Sequence, residues 1–161
     1  MSEYKKCALT IAIFMLSTLM AFASPGTAQA ALTLGSPDGW QCGGLKTVRL
    51  DAVSGNQGFW LERDYRTGDG VSLKAILMGG KGPVMLNVPA PQTESSDGLL
   101  GAGRTYRTLT AGGFPALLER DQFLGLSLAV IIPGAVLTVE TPPGPADEEI
   151  TDIALVLLSL M

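Results

Sequence analysis

Between Val71 and Leu77 the odd positions, Val71, Leu73, Ala75 and Leu77, are all apolar, while Ser72 and Lys74 fall between them. Successive side chains of a strand point to opposite faces, so a period of two marks one buried and one solvated side. Leu126, Leu128, Val130 and Ile132 repeat the pattern. Tight-turn signals bound these runs. "TGDG" (Thr67–Gly70) offers the Asp-Gly pair of a hairpin turn. "GGKGP" (Gly79–Pro83), "AGG" (Ala111–Gly113) and "IPGA" (Ile132–Ala135) follow, with Pro133-Gly134 suited to the centre of a type II turn. Antiparallel strands joined by short turns are what this texture dictates.

The strands also come in two similar sets. "LERD" stands at Leu61–Asp64 and again at Leu118–Asp121, and its neighbours correspond in order. "SPDG" (Ser36–Gly39) matches "SSDG" (Ser95–Gly98), and "KTVR" (Lys46–Arg49) matches "RTYR" (Arg104–Arg107). Gly58-Phe59 matches Gly113-Phe114, "SLKAI" (Ser72–Ile76) matches "SLAVI" (Ser127–Ile131), and "LNVPAP" (Leu86–Pro91) matches "LTVETP" (Leu137–Pro142). Two readings account for this: a duplication over residues 36–91 and 95–143, or two unrelated meanders drawing on one small alphabet of strand and turn residues. Strands are expected near 46–53, 58–67, 71–78 and 84–88, and near 104–111, 114–121, 125–132 and 135–141.

One stretch reads as helix, over residues 146–160. "PGPADEEITDIALVLLSLM" stops the last strand with prolines and then gathers Asp147, Glu148 and Glu149, acids that suit the positive end of a helix dipole. Asp147 is the expected cap. Ile150, Ile153, Ala154, Leu157, Leu158 and Met161 share one helical face. The expected fold class is therefore α+β, mainly antiparallel β. Two similar four-stranded meanders form one domain, with a C-terminal helix packed on the sheet.

Residues 1–30 read as a signal peptide. Lys5 and Lys6 precede an apolar run from Cys7 to Ala23, and Ala28-Gln29-Ala30 presents small residues where a signal peptidase cleaves. The alternative is an uncleaved inner-membrane anchor over 7–23. Cleavage leaves one exported domain, residues 31–161, in the periplasm or secreted. It takes Lys5, Lys6 and Glu3 from totals of 11 basic and 15 acidic residues, so the mature net charge is −5. That balance argues against nucleic acid or an anionic membrane surface as partner, since both require dense basic patches.

The chain contains no histidine. This excludes His-based catalytic triads, Cys–His pairs and imidazole metal sites. "MGGKGP" (Met78–Pro83) lacks the flanking spacing and the Ser/Thr of a phosphate loop, and "GLLGAGR" (Gly98–Arg104) lacks the glycine order of a dinucleotide fingerprint. No cofactor is expected. Glu62 and Asp64 share one strand face, as do Glu119 and Asp121. If the two LERD strands lie together, four carboxylates converge on a calcium site or an acid–base pair. If not, these are solvated strand faces paired with Arg63, Arg66, Arg107 and Arg120.

Cys42 is the one cysteine after the leader. It is either a thiol that bridges to another chain or a small, partly buried residue beneath Trp40. In the repeat, Cys42 stands opposite Gly101 and Trp40 opposite Leu99. The functional expectation is an exported, non-catalytic domain that binds a protein or small-molecule partner. The alternatives are a Cys42-linked disulfide protein and a carboxylate-based calcium-binding domain.

Overall fold

The computed structural model describes residues 32–51, 57–80, 94–96 and 103–161. Residues 1–30, expected as a signal peptide, the strand expected at 84–88 and the Leu99 and Gly101 comparison lie outside the described residues. Among the described residues nine strands form one sheet: β1 (Gln41–Cys42), β2 (Lys46–Asp51), β3 (Gln57–Arg66), β4 (Ser72–Gly80), β5 (Glu94–Ser96), β6 (Thr105–Ala111), β7 (Phe114–Asp121), β8 (Gly125–Ile132) and β9 (Ala135–Thr141). A single helix among the described residues, α1 (Asp147–Leu158), follows. The fold is α+β, mostly antiparallel sheet with the C-terminal helix packed on it.

Every ladder is antiparallel, and the sheet runs β1-β3-β4-β9-β8-β7-β6-β5, with β2 also paired to β3. β6 to β9 form a meander in chain order, and β2 to β4 are three consecutive strands of another. The two are joined by β4 against β9, where Lys74 faces Glu140 and Leu77 faces Leu137. Two short strands, β1 and β5, have no counterpart in the sequence expectations. β5 overlaps the "SSDG" string of the repeat, and β1 pairs Cys42 with Tyr65.

The turns follow their chemistry. Gly112 and Gly113 both take positive φ, at 59° and 84°, as a two-residue turn joining β6 to β7 requires. At Gly125 φ is 103°, and a Cβ there would lie 2.1 Å from the Thr141 carbonyl oxygen, so only glycine fits where β8 starts beside the end of β9.

Alternation then sets the core. Leu73, Ala75 and Leu77 of β4, and Leu126, Leu128, Val130 and Ile132 of β8, are buried on one face. Leu61, Tyr65, Leu118, Leu137 and Val139 share it. Ile150, Ile153, Ala154 and Leu157 of α1 pack against this face. Each large one contributes roughly 1.5–3 kcal/mol on full burial. Leu158 and Met161 are partly buried beside them.

The helix cap differs from expectation. Ala146, not Asp147, occupies the cap position, and the Glu149 carboxylate accepts a bond from the Ala146 N–H at 3.3 Å. Asp147 is held elsewhere: it accepts from Arg107 Nη2 at 2.8 Å and from Arg120 Nη2, which ties the first helical turn to β6 and β7.

Candidate functional site

On the face away from α1, one row of side chains crosses six strands. Asp64 faces Lys74, Lys74 faces Glu140, Glu140 faces Ser127, Ser127 faces Glu119, and Glu119 faces Tyr106. At the β7 end, Arg104 reaches both Glu119 (Nη1 to Oε1, 3.1 Å) and Asp121 (Nε to Oδ2, 3.0 Å). Arg104, Glu119, Asp121, Ser127 and Glu140 line a shallow pocket of about 380 Å³. Asp121 is only 6% exposed. It also accepts from the backbone N–H groups of Leu124 (2.9 Å) and Phe123 (2.8 Å), closing the β7–β8 turn. Those two bonds, and then Arg104, hold its carboxyl below the ordinary aspartate range.

The two LERD strings do not meet. β4, β9 and β8 lie between β3 and β7, four interstrand steps, or about 19 Å at ~4.8 Å each. The four-carboxylate arrangement of Glu62, Asp64, Glu119 and Asp121 is corrected on that ground. The meanders join through β4 and β9 and not through their second strands. Among the described residues no three His, Cys, Asp or Glu side chains cluster as metal ligands. Instead, Glu62 takes a bond from Lys46 Nζ at 2.8 Å and lies 3.6 Å from Lys74 Nζ. The Lys46 hydrogen bond lowers the Glu62 carboxyl and, reciprocally, raises the Lys46 ammonium.

Cys42 is half-buried and free, packed at the margin of the core. Its Sγ lies 3.9 Å from the Trp40 carbonyl oxygen. Trp40 meets Tyr65 edge to face, with ring centroids 5.9 Å apart. Burial pushes the Tyr65 phenol up to about 12, and its hydroxyl donates to the Gly35 carbonyl at 2.8 Å.

A second cleft of about 520 Å³ lies between Trp40 and α1, lined by Asp69, Glu148, Glu149 and Asp152. Four carboxylates beside an indole ring make it an acidic cleft. The sequence shows these acids only as a helix start and a turn, because nothing in the chain order announces that Trp40 lies beside them.

Beside the charged row runs an apolar one: Val48 faces Trp60, Trp60 faces Met78, Met78 faces Val136, and Val136 faces Ile131. Among the described residues it ends at β2. All six residues of Lys46–Asp51 are exposed, Val48 by 52% and Leu50 by 36%. Sequence reasoning placed this strand but not its isolation. The available signal was the alternation Lys46, Val48, Leu50 against Thr47, Arg49, Asp51, which lacks the clean apolar face of β4 and β8.

Comparison of the chain with family models, curated proteins and solved structures finds no match.

Proposed function

We propose that this protein is an exported, non-catalytic binding domain that takes up a protein partner by strand addition along β2. One observation carries the reading: among the described residues, a six-residue strand at the sheet margin whose every side chain is exposed, two of them large and apolar. An edge strand presents a row of backbone donors and acceptors that template another strand, and partner chains use such edges for main-chain pairing with side-chain pockets adding selectivity. The leader-like residues 1–30 support export to the periplasm, and the missing histidine supports a binding role over catalysis. Replacing Val48 and Leu50 together by lysine should abolish retention of the partner by the full chain while leaving its melting temperature unchanged. Undiminished retention by a folded double variant would refute strand addition.

The acidic cleft supports a second reading, capture of a small organic cation. Trp40 lines it with an aromatic ring, and Asp69, Glu148, Glu149 and Asp152 supply negative charge. Its volume lies within the roughly 300–1,000 Å³ of small-molecule sites. Titration calorimetry with choline and with spermidine should give saturable heat that Trp40→Ala removes, and the absence of heat with both cations would end this reading.

A further inference from the structure

We infer that the β7–β8 turn and the pocket beside it form a second docking site, which takes a lysine and an adjoining apolar side chain from the surface of a partner protein. The site is independent of strand addition, because β3, β4 and β9 lie between β2 and β8.

The apolar half of the site is the turn itself. Phe123 and Leu124 are 73% and 69% exposed, more than any other large apolar side chain among the described residues. The turn is not free to fold them away. Asp121, itself buried, accepts from both of their backbone N–H groups and from Arg104. On the other side Gly125 lies close against the segment that leaves β9. A Cβ there would fall 2.5 Å from the Pro142 carbonyl carbon and 2.8 Å from the Pro143 nitrogen. Both prolines are exposed, so Phe123 and Leu124 stand on a fixed apolar ledge. An exposed apolar patch of this kind marks a contact surface, and its preorganisation lowers the entropy a partner must overcome.

The charged half is the pocket of about 380 Å³, in whose wall Leu124 stands. Arg104 is its one cation against Glu119, Asp121 and Glu140, so negative charge is in excess. Asp121 is taken up by the turn and by Arg104, and Glu119 gives one oxygen to Arg104. Glu140 has no ion pair among the described residues. Lys74 faces it across the β4–β9 seam, but the Lys74 Nζ lies 3.6 Å from Glu62 instead. Ser127 stands between Glu119 and Glu140 in register, with the two acids about 10 Å apart at two interstrand steps. Carboxylate, hydroxyl and carboxylate are three acceptors, a match for the three N–H donors of a lysine ammonium. Thr141 also lines the pocket. It is 3% exposed, and its hydroxyl has no hydrogen-bond partner among the described residues, a need that buried polar groups seldom leave unmet.

Charge complementarity selects the occupant. An anionic lipid surface would be repelled by the excess of carboxylates, and a wholly apolar segment would desolvate Glu140 without pairing it. A lysine answers Glu140 while its hydrocarbon stem lies along Leu124, and the adjoining apolar side chain rests on Phe123.

The probe is an acetylated and amidated pentapeptide with a central lysine–leucine pair, titrated to millimolar concentration into the nitrogen-15-labelled full chain. Saturable amide shifts should appear at Arg104, Glu119, Phe123, Leu124, Ser127 and Glu140. Acetylating the peptide's lysine, or Glu140→Gln in the protein, should weaken binding at least tenfold. Phe123→Ser should weaken it several-fold. Glu140 and Phe123 are exposed, so both variants should keep the melting temperature of the unaltered chain. No shifts with the lysine–leucine peptide would overturn the site, and equal binding of the acetyl-lysine peptide would overturn its choice of lysine. Phosphatidylcholine vesicles that retain the chain, and lose it with Phe123→Ser, would overturn the protein partner in favour of a membrane. Val48→Lys with Leu50→Lys should leave peptide binding intact, so this site and strand addition fail separately.

Discussion

Leu61–Asp64 and Leu118–Asp121 carry the same four residues on the second strand of each meander, and three of the four positions behave alike. Leu61 and Leu118 both enter the core. Glu62 and Glu119 both take a basic partner on the far face, Lys46 in one case and Arg104 in the other. Each arginine then reaches a terminal segment of the domain. Arg63 donates to the carbonyls of Leu34 (3.1 Å), Gly35 (3.3 Å) and Gly43 (2.8 Å), fastening the chain that leads into the sheet. Arg120 grips Asp147 and fastens the helix that leaves it. The aspartates part company: Asp64 is exposed, whereas Asp121 is buried in a turn and bound by two backbone N–H groups and Arg104. Four letters set which way side chains point; the turn that follows sets what the last one does. After Asp64 the strand continues to Arg66, but after Asp121 it stops.

The largest test removes most of the helix that Arg120 fastens through Asp147. Truncation after Glu149 strips Ile150, Ile153, Ala154 and Leu157 from the core, and the product should be insoluble or lack a cooperative thermal transition. A soluble truncate with a sharp transition would show that the sheet stands without its helix. Next, the two arginines should differ. Arg63→Ala leaves three backbone carbonyls without their guanidinium and should cost about 1.5–3 kcal/mol in urea unfolding, the range for bonds to a charged donor. Arg120→Ala should cost less, because Arg107 also holds Asp147. Equal losses would mean that Arg107 does not share the hold on Asp147.

The aspartates separate by pH. The folded Asp121 carboxyl sits below its unfolded value, so its contribution is complete above the unfolded pKa of about 3.9 and drains away as pH falls through the folded one. Asp121→Asn should lower the melting temperature at neutral pH and flatten its dependence on acid below about pH 4. Asp64→Asn should shift stability by no more than about 0.5 kcal/mol at neutral pH. An acid profile of Asp121→Asn identical to that of the unaltered chain would remove the role assigned to Asp121. A further effect concerns Tyr65, raised to about 12 by burial. Its neutral form stabilises the fold below the unfolded value near 10, and that contribution is lost as pH climbs toward 12. Tyr65→Phe should cost about 1 kcal/mol at neutral pH for the lost bond to Gly35 and remove the alkaline decline, which thermal melts across that range would register.

The local code was largely legible. Alternation located β4 and β8 with the correct inward faces, and the turn glycines bracketed β6 to β9 within a residue of their observed limits. The helix face Ile150, Ile153, Ala154 and Leu157 followed from a period near four. What escaped was everything set by which remote strands pair. The LERD carboxylates are held apart by the β4–β9 seam, and no short-range pattern encodes a contact between residues as distant as Lys74 and Glu140. Asp147 misled because a helix-opening acid looks the same whether it caps its own backbone or answers two arginines across the sheet. The exposed β2 edge was equally hidden, since isolation is a property of neighbours and not of the strand itself.

That seam also governs the order in which the molecule can assemble. Hairpins such as β7–β8 close over a few intervening residues and form early, at little loop-entropy cost. The β4–β9 ladder must instead draw together two meanders across a long intervening chain, a contact of high sequence separation that slows folding. Until β9 has been made, the outer edge of β4, the last strand of the first meander, lacks the partner that the finished sheet gives it.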